Sequence, residues 1–411
     1  MVKPGYKQTE VDLIPEDWSV TTIGLIADVK TGPFGSALHA DDYVEDGTPI
    51  ITVEHLGETG LTRQNLPMVS DQDKRRLSSY TMREGDIVFS RVGSVDRNAY
   101  VTAEEDGWLF SGRILRLRAK HESVSTKYLG YYFKAESAKE RIRSVAVGQT
   151  MASLNTKIMD AFKVVLPPIQ EQESIAKVLW DMDEIISALE AQLIKKKAIK
   201  QGAMQELLTG KKRLPGFSGK WDKFTLGKHG TLLRSSVNPQ LTPNKLFFEY
   251  SMPAFDESKM PVRAYGSAMH SNRILIEGKV LLFNKLNVRQ KRIWLVENCA
   301  ENAVCSSEFL PYTSETINLE LLLHVLNSDR VTNEFIGMST GTSNSQKRIP
   351  PSAFMEYTVC LPVDMKEQSA IAQVFSEIDS EIEALQQKLE KYRQLKQGMM
   401  QQLLTGKIRL V

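Results

Sequence analysis

Cysteine is scarce in this chain: three among 411 residues, at Cys299, Cys305 and Cys360. Their spacing makes neither a disulfide framework nor a metal knuckle, so buried free thiols in a reducing cytoplasm are the expectation. Long apolar runs are lacking too. None approaches the roughly 20 residues that span a bilayer, and the opening stretch MVKPGYKQTEVDL has no signal-peptide core. A cytoplasmic protein is expected. Charge of one sign is also missing: 52 Lys and Arg against 50 Asp and Glu leave a formal net charge of +2. That balance neither demands nor excludes nucleic acid, because a local basic face decides. The 6 histidines show no ligand spacing.

Catalytic signatures are absent as well. There is no GxxxxGK[ST] phosphate loop, since Leu-Leu-Thr-Gly-Lys lacks the first glycine and closes a helix instead of opening one. No GxGxxG follows a strand, and HExxH, GxSxG and CxxC do not occur. Neither Asn-Pro-Pro-Tyr nor Asp-Pro-Pro-Tyr, the adenine methyltransferase element, is found. No cluster of two acids and a lysine suggests a nuclease. These absences together favour a binding protein, not an enzyme, with no metal and no cofactor of its own.

What is present is a repeat. Glu171–Leu214 returns as Glu367–Leu410 without a gap, and the same 196 positions separate Glu171 from Glu367 and Leu207 from Leu403. About half of the paired positions are identical. Both copies carry apolar residues three or four apart. The first has Ile175, Val178, Met182, Ile186, Leu189 and Leu193, then Lys196, Ile199, Ala203 and Leu207. The second has Ile371, Val374, Ile378, Ile382, Leu385 and Leu389, then Tyr392, Leu395, Met399 and Leu403. Prolines precede each run, at Pro167, Pro168 and Pro362, and Gly210 or Gly406 suits a helix C-cap. Two helices of about 38 residues, roughly 55–60 Å long, are predicted. One apolar stripe on a lone helix would stay wet, so the copies are expected to pair as a coiled coil. The charges at Lys195, Lys196, Lys197 and Lys200 interrupt the first copy without an evident reason.

The repeat is wider than the helix. Ile14-Pro-Glu-Asp-Trp18 and Thr22-Ile-Gly24 have counterparts in Leu214-Pro-Gly-Phe217, Trp221 and Thr225-Leu-Gly227. Glu84-Gly-Asp-Ile-Val-Phe89 is echoed by Glu277-Gly-Lys-Val-Leu-Leu-Phe283. Strands are predicted at Pro49–Val53, Asp86–Ser90, Ala99–Thr102 and Ile114–Arg118, and helices at Thr126–Ser144 and Leu319–Gly337. The division is 1–166 globular, 167–213 helix, 214–361 globular, 362–411 helix. The fold class is α+β: two α/β globular segments joined by two long antiparallel helices in a coiled coil, with a pseudo-twofold internal repeat. The chain ends in Lys407-Ile-Arg-Leu410, matching Lys211-Lys-Arg-Leu214, which runs straight into a globular segment. The layout is therefore circular in logic, and antiparallel helices would place the globular segments at opposite ends of a rod.

Several loops have residues that can meet DNA. Glycine-rich Lys30–His39 offers Lys30, Phe34 and Ser36, although an ordinary turn has the same composition. Arg91, Arg97 and Arg113 can read guanine or form surface salt bridges. Gly148–Lys157 contributes Gln149, Thr150, Asn155 and Lys157. In the second segment Arg234, Asn272 and Arg273 lie upstream of Lys285, Asn287, Arg289, Lys291 and Arg292, with Asn344, Gln346 and Lys347 downstream. A charge run is commonly a solvated face, but amides mixed with cations in separate stretches suit base edges and phosphates.

The chain resembles the specificity subunits of type I restriction–modification systems. The resemblance is carried by the doubled globular-plus-helix plan, Pro-Pro-Ile-Gln-Glu-Gln172 and Lys-Glu-Gln368, and the Leu-Leu-Thr-Gly-Lys endings. Thr31-Gly-Pro-Phe-Gly-Ser-Ala-Leu38, Gly85-Asp-Ile-Val88 and Gly148-Gln-Thr150 add to it. It implies two target-recognition domains reading halves of a bipartite, asymmetric site on double-stranded DNA, with the helices as spacers. It also implies docking of two modification subunits that carry S-adenosylmethionine and methylate adenine, and of restriction subunits that use ATP. A coiled-coil adaptor without DNA recognition, or the specificity subunit of a fused restriction–methylation enzyme, fits the residues as well.

Overall fold

A computed structural model of the chain describes residues 4–33, 38, 42–148, 151–341 and 346–410. The chain divides into two units, Met1–Glu190 with Gln387–Val411, and Ala191–Gln386. Each unit thus takes its helical part from both copies of the repeat, and the end of the chain rejoins the unit that contains its beginning. The circular layout expected from sequence is present: the Tyr6 hydroxyl donates to the Gly406 carbonyl at 2.8 Å.

In the first unit, one antiparallel sheet has the order Ala27–Thr31, Ile114–Ala119, Ile87–Ser90, Asn98–Tyr100. A second, mixed sheet has the order Leu109–Phe110, Thr48–Ile51, Met68–Val69, Tyr43–Val44. Ile87–Ser90 is buried on both faces, with helix on one side and the second sheet on the other, so Ile87, Val88 and Phe89 are apolar without alternation. The second unit repeats this with Thr231–Leu232, Phe309–Thr313, Val280–Asn284 and Ile293–Val296. Its larger sheet runs Ser236–Val237, Arg273–Leu275, Ala303–Ser306, Leu246–Tyr250, Val262–Tyr265. In each unit a two-stranded pair, Ser19–Thr22 with Lys163–Leu166 or Trp221–Thr225 with Thr358–Pro362, delivers the chain to a long helix.

Those helices are Ile169–Leu207 and Met365–Leu403, 39 residues each. Both close on a glycine with φ of +69°, Gly210 and Gly406. Lys212 N–H reaches back to the Glu206 carbonyl and Ile408 N–H to Gln402, both at 3.2 Å, the C-terminal closure that a left-handed glycine permits. The predicted helices Thr126–Ser144 and Leu319–Gly337 are each broken in two. Thr126–Lys134 and Glu136–Val145 are separated by extended Ala135, and Leu319–Leu326 and Asp329–Met338 by Asn327-Ser328. In the second case the Ser328 hydroxyl accepts from Val331 N–H, so a serine cap outweighs the helical period. The thiols are free, but only Cys305 is buried; Cys360 is exposed because it alternates with buried Val359 and Leu361 on its strand.

Within each unit the two helix segments run antiparallel. In the first, Asp183 pairs with Lys396 at 2.5 Å and Glu190 with Arg393 at 2.6 Å, numbers rising on one helix as they fall on the other. In the second, Lys196 pairs with Glu381 and Lys200 with Asp379. Lys200–Asp379 is the repeat image of Lys396–Asp183. The lysines that interrupt the first copy are thereby explained in part: Lys196 and Lys200 are partners of the facing segment. Ile175, Met182, Ile186, Leu189, Ile371 and Leu389 are buried, and Val178, Leu193, Val374, Ile378, Ile382 and Leu385 partly so. The apolar seam is interrupted at Ile199 and Leu395, which are 47% and 50% exposed, because the neighbouring lysines turn to their aspartates, and it resumes at Leu207 and Leu403.

The two copies of this junction differ beside the shared aspartate–lysine pair. Tyr131 donates its hydroxyl to Asp183 at 2.8 Å, whereas His324, in the equivalent place, has Nδ1 3.8 Å from Asp379 and rests on Phe375. Leu179 stands where the second unit has Phe375, so Tyr and Leu trade volume for His and Phe. Burial, aided by the Lys200 charge and opposed by Asp379 and Glu320, pushes the His324 imidazole down to about 4. The unfolded chain therefore takes up a proton near pH 6.5 that the fold refuses until about pH 4. Stability of the second unit is expected to be intact above pH 6.5 and to fall by about 3 kcal/mol as pH drops to 4. Denaturant unfolding at pH 7 and pH 5 measures this. The double variant His324→Tyr with Phe375→Leu should remove that slope, and an unchanged slope would show that His324 is not its source.

Candidate nucleic-acid interface

Each unit carries a platform built from two loops. In the first, Val92 and Val147 both bridge to Ser153, Leu154 N–H donates to the Arg91 carbonyl at 2.8 Å, and Arg91 N–H to the Arg113 carbonyl at 2.8 Å. The predicted Arg91, Arg113 and 148–157 stretches are thus brought together. In the second, Leu286 and Thr340 both bridge to Arg348, Asn287 N–H donates to Lys347 O at 2.9 Å, and Ile349 N–H to Lys285 O at 2.9 Å. The same plan joins the 284–292 and 340–349 stretches, although the two units share almost no loop sequence there.

The individual side chains divide by what already holds them. Arg113, Lys157, Arg234, Asn272, Arg289 and Gln346 are exposed, and Lys285 and Lys347 half-exposed. Among the described residues the cations of this group make no ion pair. Lys30 sits on its strand with Nζ 4.7 Å from the Tyr80 ring centre. Others are engaged. Arg91 donates to the Gly112 carbonyl at 3.1 Å and Arg97 to that of Leu56. Asn155 caps Thr156–Ala161 by accepting from Ile158 N–H at 2.9 Å. Arg273 is held by Glu249, Lys291 by Asp329 and Arg292 by Asp256, at 2.7, 2.6 and 2.6 Å. Those three must exchange a carboxylate for a phosphate or base before they can contact DNA. Asn287 and Lys291 have φ of 50° and 48°, which turns the short segment between them outward as a tight knuckle with Arg289 at its tip. Phe34, Ser36, Gln149, Thr150 and Asn344 lie outside the described residues.

Residue-by-residue reading missed the groups that tie each platform's unit to its helices. Glu171 is 1% exposed and accepts from Arg409 Nε at 2.7 Å, Arg409 Nη2 at 2.8 Å and Trp18 Nε1 at 2.9 Å. Two acids, Glu171 and Asp17, hold the Arg409 guanidinium well above its usual range. Next to it, Gln172 accepts from Ser125 N–H at 2.9 Å and donates to the Pro167 carbonyl at 2.8 Å. The second unit repeats the clamp: Arg213 grips Glu367 with two bonds of 2.6 Å, and Gln368 accepts from Asn318 N–H at 2.8 Å and donates to Pro362 O at 2.9 Å. The signal was available in sequence, as Glu-Gln and Lys-x-Arg-Leu recurring at one offset.

Against the first helix of the first unit a cavity of about 700 Å³ is lined by Tyr100, Tyr131, Trp180, Lys134, Asp183 and Glu184, among others. Burial pushes the Lys134 amine down to about 8. Among the described residues no group of three His, Cys, Asp or Glu could hold a metal ion, and no helix is long and apolar enough to cross a membrane.

The chain is thus a doubled architecture, in which each copy of a loop platform belongs to a unit clamped to an antiparallel helix pair. Residues 15–198 match the family described as type I restriction modification DNA specificity domain. The chain is 24% identical over 437 residues to the type I restriction enzyme MjaVIII specificity subunit of Methanocaldococcus jannaschii, covering 99% of this chain and 96% of that one. It is 22% identical to the EcoBI specificity subunit of Escherichia coli over 46% of this chain and 40% of that one. The fold matches a type I restriction–modification S subunit from M. genitalium with a TM-score of 0.63 over 97% of this chain and 98% of that one, at 13% identity. The chain is thus similar over nearly its whole length to specificity subunits of type I restriction–modification systems, and its first part carries their DNA specificity domain.

Proposed function

We propose that each unit reads one half of a bipartite, asymmetric site on double-stranded DNA. The observation that supports this is the doubled loop platform carrying cations that have no carboxylate partner among the described residues: Arg113 and Lys157 in one copy, Lys285, Arg289 and Lys347 in the other. Cations of this kind hold phosphates, while arginine and amide side chains reach base edges in the major groove. Residues 1–166 and 214–361 act as target-recognition domains, and 167–213 and 362–411 as spacers. The helices dock two modification subunits, with the aromatic and acidic cavity beside Trp180 as one contact. Restriction subunits join that assembly in the cytoplasm. S-adenosylmethionine, ATP and the chemistry of adenine methylation and cleavage belong to the partners, and this chain performs none of it.

Each platform offers only a few cations without an ion pair among the described residues, so this chain alone neutralises few phosphates, and its own DNA binding is weak and weakened further by salt. Sequencing methylated adenines in a host that expresses the chain with its modification subunit tests the reading. One split motif, absent without the chain, is expected. No new motif would favour an adaptor without DNA recognition, and nanomolar specific binding by the chain alone at physiological salt would count against shared phosphate contacts.

A further inference from the structure

The internal repeat supplies a control for one sheet edge. In the first unit, Leu109–Phe110 runs parallel to Thr48–Ile51, Met68–Val69 lies antiparallel beyond it, and Tyr43–Val44 covers the far side of Met68–Val69. In the second, Ala303–Ser306 runs parallel to Leu246–Tyr250, Val262–Tyr265 lies antiparallel beyond it, and the sheet ends there. Among the described residues nothing takes the place of Tyr43–Val44. Gly266 N–H donates to Lys245 O at 3.0 Å, one rung past the Leu246–Tyr265 pair. Antiparallel alternation then aims the backbone groups of Arg263 and Tyr265 outward, away from the ladder.

The bare edge is apolar and basic. Leu246 is 38% exposed, Met260 64%, Val262 45% and Tyr265 57%. Lys245, Lys259 and Arg263 lie over Phe247, Phe255 and Phe248 at 5.5, 5.3 and 5.4 Å, and among the described residues none of them has a carboxylate partner. Cations on an open edge repel a basic or indiscriminate partner strand but attract one that brings acids to the same positions. The strand that fills the equivalent place in the first unit is itself acid-flanked: Asp-Asp-Tyr-Val-Glu-Asp over positions 41–46, with Asp42 held by Arg76 at 3.5 Å. Apolar exposure on this scale suits a peptide strand better than a phosphate backbone, which would be met by cations alone.

We infer that Val262–Tyr265 is a docking edge that receives an extended, acid-flanked apolar segment of another polypeptide, antiparallel, as Tyr43–Val44 does within the first unit. Main-chain hydrogen bonds to Arg263 and Tyr265 hold the incoming strand, and Lys245, Lys259 and Arg263 select its acids.

The test uses the full chain and an end-blocked peptide of sequence Asp-Asp-Tyr-Val-Glu-Asp. Saturable binding with slowed hydrogen exchange at the Arg263 and Tyr265 amides is expected. The same peptide with its acids replaced by lysine, and the variant Arg263→Glu, should each weaken binding by at least about tenfold. Tyr265→Pro, which removes the outward-facing amide together with the exposed ring, should abolish the protection at the Arg263 amide while the unfolding midpoint holds. Three results overturn the inference: no protection at millimolar peptide, protection by a duplex DNA but not by the peptide, or protection that grows with protein concentration alone, which would mean that two copies pair.

Discussion

Replacing Glu171 with alanine is expected to cost the first unit about 3 kcal/mol, the low end of what breaking a buried ion pair costs. The carboxylate is 1% exposed and is the shared acceptor for Arg409 and Trp18. Its loss leaves the Trp18 indole N–H without a partner inside the core and detaches the C-terminal turn. Arg409 softens the loss, because it is 26% exposed and keeps Asp17 at 2.6 Å. Glu171→Gln retains an acceptor for Trp18 and should cost roughly half as much, since only the charge is lost. Denaturant unfolding followed by tryptophan fluorescence measures both. Glu367→Ala should act in the same way on the second unit through Arg213. A Glu171→Ala protein as stable as the parent would mean that the chain terminus does not hold the first unit together.

Leu189→Asp has the second large effect. Leu189 is 5% exposed in the antiparallel seam of the first unit. An aspartate there must ionise among apolar side chains or fold neutral, and either costs several kcal/mol. Separation of the helix segments, visible as lost ellipticity and as lost assembly with the modification subunit, is the expected outcome. Leu385→Asp, at a half-buried position of the second unit, should act in the same direction but less strongly. Assembly that survives Leu189→Asp would remove the seam from the account of docking.

The long helices were legible because their signal is periodic and doubled. Seam positions from Ile175 to Leu193 and from Ile371 to Leu389 are all at least half-buried, as the three-and-four spacing requires. The pattern misled at Ile199 and Leu395, where the next residue, a lysine, makes an inward ion pair that periodicity cannot register. Strand positions such as Ile87–Ser90 and Ile114–Ala119 lay within one or two residues of their predicted bounds. The helix breaks at Ala135 and Asn327 were not seen, since Ala135 has no sequence mark and the Ser328 cap sits inside an apolar period. In the interface, sequence named the loops but not the state of their side chains. Arg273, Lys291 and Arg292 look as available as Arg289 in a string of letters, yet each has found a carboxylate 24 to 38 positions away. Long-range pairing of this kind is settled by the fold.

If each unit reads its own half-site, one unit can change its target without the other. Residues 12–166 can be exchanged for the corresponding segment of one of the specificity subunits that the chain resembles, leaving both long helices and residues 214–361 intact, and the methylated sites then sequenced in the host. A motif in which one half changes while the other half and the methylated adenine's presence persist is the predicted result. A motif changed in both halves, or in neither, would contradict it.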